Sequence, residues 1–472
     1  MCQGLEQRIK ALSCIIIIMN VTTADMMAAR DRRASLQKEL ASKHGCAIVS
    51  YTLNIAGPVK RFRSADRCFY EGKLEIERAF ARAGFAVHDS ASTDSHSGLE
   101  CLWAVGADSV QLKSAMSAIE ESHPLGRLFD IDVLSSDGEK EPRNTPAGRA
   151  CLVCGAAGHG CARSRAHPLE QVLARTNAII DSYFNQKDAR HISACAARAL
   201  FYELAATPKP GLVDRQNNGA HSDMNFYTFI DSSVSLYPYF RDMAEAGMLQ
   251  RDTPPEELLV KLRKRGMAAE DEMFAATGGV NTQKGIIFSM GIICAACGYL
   301  GLPLASPEAI LDTAGKIAAP AFRSDLEGIT ALNASTHGEK AFVHYAAGGI
   351  RAEAAAGFPS VRGFGLPALK AALQRGTPPP DAGVEVLLHL LAHTADTNVI
   401  GRAGPGALDD IQRKLQGFLA AAPDEAAIFK YAAELDENFI GRNISPGGCA
   451  DLLAITYMLH FVSNVNYKEL KP

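Results

Sequence analysis

The 472-residue chain lacks any strong excess of charge. Its 48 Lys and Arg stand against 52 Asp and Glu, a net of −4, so a polycationic surface for nucleic acid is not indicated. It lacks a dense cysteine framework. Twelve Cys are thinly spread, and Cys195, Cys294 and Cys297 sit in Ala-rich helical runs. That pattern points to reduced thiols in the cytoplasm, not to a secreted disulfide scaffold. It lacks an apolar run of bilayer length near its start: Ala11 to Met19 is too short to span a membrane, with no clear cleavage pattern behind it. No membrane partner is therefore expected, and residues 1–18 are read as an extension outside the fold. Little of the chain resembles a linker, TPPPD near Pro378 coming closest. A hydrophobic content of 47% is ordinary for a globular protein, and the length allows more than one core.

Residues 19–185 mix helix and strand signals. A helix is expected over Met26 to Leu40. In CAIVSYTLNIAGPVK, the β-formers Ile48, Val49, Tyr51, Leu53 and Ile55 end at Gly57-Pro58. A helix from Gly72 to Ala83 stops at Gly84. Strands over Phe85 to His88 and Cys101 to Gly106, then a helix over Val110 to Glu121, complete an α+β domain. The run from Leu128 to Leu134 alternates, which puts Asp130 and Asp132 on one strand face and Ile131 and Val133 on the other. Two carboxylates spaced this way suit Mg²⁺ in an enzyme that moves a nucleotidyl group. A solvated strand edge is the plain alternative. Gly126 and Arg127 just upstream add a turn and a phosphate-binding cation.

Cys151, Cys154, His159 and Cys161 have spacing that could hold zinc. Their crowding into one short loop favours buried, reduced thiols around a turn. Arg163, Arg165 and His167 make a basic patch ahead of a helix expected over Leu169 to Phe184, a setting that suits pyrophosphate. Asn185 to Asp188 reads as a very short linker.

Residues 189–472 read as a mostly α-helical domain with polar, Gly-rich loops. Val384, Leu387, Leu388 and Leu391 form one helical stripe. The stretch Thr207 to Ser233 carries Lys209, Asp214, Arg215, Asn217, Asn218, His221 and Asp223, a density of charge and hydrogen-bonding groups suited to a polyphosphate and its metal ion. Gly278 to Gly285 leads into a helix over Ile286 to Leu300, with Asn281 and Lys284 at a helix entry that favours an anion. It is not a Walker A loop. His389, His393 and Asp396 fall on one helical face, near Asn398, as metal or ribose contacts or as hydrogen-bonded core residues. His337, Glu339, Arg351, Glu353, Arg402, Arg442, Ser445 and Asp451 add polar groups further on.

The motifs TPKPGLVDRQNNGAHSDMNFYTFIDSS, GGVNTQKG, THGE, GIRAEAAAGFP, DTNVIGRAG and RNISPGG resemble, in order, those of triphosphoribosyl-dephospho-CoA synthases. Gln283 stands where that family commonly has His. The resemblance implies displacement of adenine from ATP by the 2′-hydroxyl of 3′-dephospho-CoA. Asp214, Asp223, Asp396 and Glu339 become candidates to stabilise the ribose cation or take the hydroxyl proton. Lys209, Arg215, Lys284 and Arg442 become candidates for the phosphates, with Asn281, Arg351, Asn398 and Ser445 beside them and Mg²⁺ neutralising the remaining charge.

LNIAGPVK, GRLFDIDVL and CLVCGAAGHGCARSRAHPLE resemble holo-citrate lyase synthase, with Ala56 where that family usually has proline. This implies a nucleotidyltransferase-like domain in which Asp130 and Asp132 act through a metal. Its reaction loads phosphoribosyl-dephospho-CoA onto a serine of the citrate lyase acyl carrier subunit and releases pyrophosphate. Service to malonate decarboxylase and a noncatalytic, zinc-stabilised carrier-binding scaffold are the alternatives.

Overall fold

Thr22 and Asp25 close a reciprocal capping box ahead of helix α1 (Thr23–His44), and Gly45, left-handed at φ 62°, ends it. Strand β1 (Ala47–Leu53) follows. This is a computed structural model describing residues 20–143, 148–302, 305–326 and 348–464. It forms two units, one ending at Phe184 and one spanning Asn185–Asn466.

In the first unit, helix α2 (Arg63–Ala83) precedes a hairpin of β2 (Ala86–Ser95) and β3 (Gly98–Gly106). Helix α3 (Ser109–Ser122) and strand β4 (Phe129–Leu134) complete the α+β layout. The sheet is antiparallel, in the order β2-β3-β1-β4. One face carries Val49, Tyr51, Trp103, Phe129, Ile131 and Val133 into a core with α2 and α3. The other packs Ile48, Leu102 and Ala104 beneath Leu40 and Ala41 of α1.

Helix α2 begins nine residues before the expected Gly72. That glycine lies inside the helix because a Cβ there would sit 2.0 Å from the Tyr51 hydroxyl. It marks a close approach, not a helix start. The hairpin is likewise longer than expected. Its edge strand β2 is solvated and polar, so it lacks the apolar members that announce a strand.

Helix α4 (Gly158–Ser164) is short, and α5 (Leu169–Ala205) runs without a break. The segment read as a linker, Asn185 to Asp188, is therefore helical. In the second unit, α6 (Phe226–Ser235), α7 (Tyr237–Leu249), α8 (Leu258–Ala276), α9 (Lys284–Leu300) and α10 (Pro307–Leu326) come first. They are followed by α11 (Gly349–Ala355), α12 (Leu366–Gln374), α13 (Pro379–His393), α14 (Thr397–Ala403), α15 (Pro405–Ala420), α16 (Glu425–Gly441) and α17 (Gly447–Ser463). Helix α9 is buried almost all round, from Ile286 to Gly298, as expected of a helix inside a bundle. Val384, Leu387, Leu388 and Leu391 of α13 are each 0% exposed. No helix among the described residues is long and apolar enough to cross a membrane.

Candidate functional sites

Alternation along β4 buries Phe129, Ile131 and Val133 and leaves Asp130 and Asp132 together on the opposite face. Thr52 and Ser50 of β1 stand directly across from them. Beyond the cover of α1, this sheet face is thus polar. Strand β4 is an edge strand, yet Ile131 is not open to pairing. Buried Lys113 donates to its carbonyl at 3.0 Å, and its N–H donates to buried Glu120 at 3.1 Å. Arg149 donates to the Gly126 carbonyl at 2.7 Å and lies 3.5 Å from Glu120 and 3.9 Å from Asp130. Lys140 pairs with Asp132 at 2.7 Å. Arg127 donates through Nη2 to the Ala150 carbonyl, while its Nη1 makes no hydrogen bond among the described residues.

The loop behind these arginines brings Cys151, Cys154, Cys161 and His167 together, their donor atoms all within 4.8 Å of one another. This corrects the reading of buried thiols around a turn: Cys154 is exposed, and Cys151 and Cys161 are only partly covered. It also moves His167 out of the basic patch, at 3.3 Å from the Cys154 sulfur. The His159 side chain lies outside the described ones. Backbone N–H groups of Cys154 and Val153 pull the Cys151 thiol down to about 6. Arg163 and Arg165 are exposed around the end of α4, Arg165 in the left-handed region at φ 49°.

In the second unit, a cavity of about 1070 Å³ is lined by the N-terminal residues of α9 and α17. Asn281, Thr282, Lys284 and Gly285 contribute from one, Ser445, Gly447, Gly448 and Asp451 from the other. Two helix entries aimed at one space favour an anion there. Lys209, His221, Asp223, Arg351, Asn398 and Arg402 also line it. Lys284 pairs with Glu270 at 2.7 Å. His221 meets the Ser445 hydroxyl at 2.9 Å, and burial, then Arg402, lowers its pKa.

Two lining groups had little or no weight in the sequence. Glu203 comes from the Ala-rich end of α5, where nothing distinguishes it from a solvated helix residue; it ion-pairs with buried Lys209. Asp451 packs on Gly285, where a Cβ would lie 2.0 Å from its carboxylate oxygen. Burial, with Glu203 and then Asp396 nearby, holds its carboxyl well above the usual range. Gln283 is buried against Ser232 and Ser233 through its amide.

Other candidates hold the walls. Asp214 is 2% exposed and accepts from the N–H groups of Lys209, Gln216 and Asn217, shaping the loop. Asp396 does not continue the α13 face, because α13 ends at His393. It caps α14 by accepting from Asn398 and Val399 N–H, and its other oxygen accepts from Cys449 N–H at 2.8 Å. One carboxylate thereby ties α14 to α17 at the cavity rim. His393 stacks on Phe364 at 3.8 Å, away from the cavity lining. Arg215 donates to Thr207 and Arg442 to Asn438, and neither is among the lining residues. Glu339 and His337 lie outside the described residues.

Both units thus gather cationic side chains and carboxylates, and the second adds two helix entries, a combination that suits phosphorylated ligands and fits the class of a transferase with two units. Residues 189–469 match the family model of ATP:dephospho-CoA triphosphoribosyl transferase, and the chain belongs to that family. Residues 21–183 match the model of apo-citrate lyase phosphoribosyl-dephospho-CoA transferase. Over 452 residues the chain is 32% identical to Protein CitXG of Haemophilus influenzae, covering 93% of this chain and 96% of that one. It is 31% identical over 447 residues to Protein CitXG of Leuconostoc mesenteroides, covering 91% and 95%. A 2-(5′′-triphosphoribosyl)-3′-dephosphocoenzyme-A synthase of Pectobacterium atrosepticum is 38% identical over 289 residues, 61% of this chain and 94% of the relative. The chain is a bifunctional transferase of citrate lyase prosthetic-group biosynthesis.

Proposed function

We propose that the second unit displaces adenine from ATP with the 2′-hydroxyl of 3′-dephospho-CoA, and that the first unit transfers phosphoribosyl-dephospho-CoA to a serine of the citrate lyase acyl carrier subunit. The observation that carries the first half is the pairing, in one cavity, of two helix N-termini with a carboxyl kept above its usual range. The helix entries, Lys284, Arg351 and Arg402 take the triphosphate and the coenzyme phosphates. Adenine leaves more readily when it accepts a proton, and Asp451, whose carboxyl is pushed up by burial and by Glu203, is the donor assigned to it. The opposite charge change arises at the 2′-hydroxyl, whose proton goes to Asp223 or, through Ser445, to His221. Both Asp223 and His221 line the cavity, and the histidine ring reaches Ser445.

In the first unit, the nucleotidyltransferase-like reading rests on the polar end of the sheet face. Asp130 and Asp132 share that face and remain partly exposed, which fits a hard divalent cation. They would hold Mg²⁺, which supplies charge neutralisation for the departing pyrophosphate. Arg127 and Arg149 flank that position and suit the same anion. A cytoplasmic setting follows from the soluble phosphorylated substrates. The first unit's match to the citrate lyase transferase favours that carrier over the malonate decarboxylase one.

The test is adenine release by the full chain given ATP and 3′-dephospho-CoA, followed by mass analysis of added carrier. Release of adenine and a carrier heavier by one phosphoribosyl-dephospho-CoA support the proposal. No adenine with both substrates present would refute it.

A further inference from the structure

We infer that Cys151, Cys154, Cys161 and His167 form a closed zinc site that fixes the arginine-bearing segment beside Asp130. The four donor atoms come from three pieces of structure. Cys151 and Cys154 lie on a tight knuckle in which Cys151 N–H donates to the Ala156 carbonyl at 2.7 Å and Gly155 N–H to the Cys151 carbonyl at 3.1 Å. Gly155 has φ 75°, which a side chain would strain. Cys161 lies on α4, and His167 follows that helix. Val153 N–H points to the Cys151 sulfur at 3.5 Å, the kind of support that a metal-bound thiolate needs.

The spacing suits this metal. A tetrahedral zinc site with bonds of about 2.3 Å to sulfur and about 2.0 Å to nitrogen places ligand atoms roughly 3.5–3.8 Å apart. Cys154 and Cys161 sulfurs are 3.6 Å apart, and His167 Nε2 is 3.3 Å from Cys154. Three soft thiolates and one imidazole select zinc over magnesium or calcium. Four protein ligands leave no open position, so the ion is structural. A disulfide fits the set less well, since it would leave a third thiol and the imidazole without a role.

The site is wired to the sheet. The Ala150 carbonyl, next to Cys151, accepts from Arg127. The Arg149 carbonyl accepts from Gly158 N–H at 2.9 Å, and a Cβ on Gly158 would lie 2.6 Å from that oxygen. Residues 150 and 157 form a bridge across the knuckle. Holding the knuckle therefore holds Arg149 against Glu120 and Asp130. Zinc is accordingly a positioning element for carrier loading, a consequence that rests on the function proposed for the first unit. Metal binding itself does not rest on it.

The experiment measures zinc in the full chain purified without chelator, then replaces it with Co²⁺. One zinc per chain and the absorption of a tetrahedral cobalt–thiolate centre are expected. Cys154→Ser and His167→Ala lose the metal, and Asp132→Asn keeps it. Stripping zinc from the unmutated chain raises KM in carrier loading more than it lowers kcat and leaves adenine release within twofold. A chain free of stoichiometric metal, whether its thiols are all titratable or Cys154 and Cys161 are bridged, overturns the site. A full complement of zinc with unchanged carrier-loading KM after its removal overturns only the positioning role.

Discussion

The two units treat their carboxylates in opposite ways. In the first, Asp130 and Asp132 stand on a solvent-facing sheet edge, with side chains 54% and 34% exposed and cationic neighbours at 3.9 and 2.7 Å. In the second, Asp451 is half-buried on the cavity wall at a helix entry, and its carboxyl is held above its usual range. Glu203, 6% exposed, is raised by burial against the pull of Lys209. The open face of Asp130 and Asp132 leaves room for a cation, while burial and neighbouring carboxylates favour the neutral form of Asp451. On the proposed function, one chain would thus pair metal-assisted chemistry at phosphorus with acid-assisted chemistry at an anomeric carbon through differences in the setting of its carboxylates.

The largest effect should come from the exposed pair. Asp132→Asn, given preformed triphosphoribosyl-dephospho-CoA, should lower carrier loading roughly 10³-fold, by analogy with loss of a transition-state charge stabiliser. Loading at the normal rate would remove the pair from the chemistry.

Asp451→Asn comes next, with adenine release down about 10²-fold, as for removal of a general acid. The same change should stabilise. A carboxyl whose pKa is raised on folding contributes stability below its unfolded value, and that contribution is lost as pH rises through its folded value. Asparagine is neutral throughout, so the variant's Tm should exceed that of the unmodified chain by a margin that grows with pH. A Tm gap that is flat with pH would show that the carboxyl is not held up by burial. On the unmodified chain, kcat for adenine release should fall on the alkaline side, and Asp451→Asn should flatten that limb.

Lys284→Ala should raise the KM for ATP about tenfold with a smaller change in kcat, because a charge-assisted phosphate contact is lost from ground and transition states alike. Steady-state kinetics at fixed dephospho-CoA reads this directly. The smallest effects belong to Arg215→Ala and Arg442→Ala. Both side chains lie off the cavity lining, so both activities should remain within twofold and stability within about 0.5 kcal/mol. A tenfold loss in either would redraw the cavity.

The sequence made the regular features legible. Alternation at Leu128 to Leu134 placed both aspartates on one face, and the Val384 to Leu391 stripe marked a buried helix, because periodicity reports burial directly. Loop geometry was not legible. Asp214 and Asp396 look like catalytic acids in one dimension, yet their oxygens are taken up by backbone N–H groups. Nothing local signals which acids will be spent on caps. Cys151, Cys154 and Cys161 were found by spacing, while His167 entered the cluster only through the turn after α4. Glu203 was hidden because an acid in an Ala-rich helix usually faces water, and here it meets Lys209.

The most direct test of the division between sheet-edge and cavity carboxylates is the rate of adenine release, measured side by side for full chains carrying Asp132→Asn or Asp451→Asn. The expected result is a normal rate for the first and a rate about 10²-fold lower for the second. Equal losses in both, or a normal rate for Asp451→Asn, would contradict it.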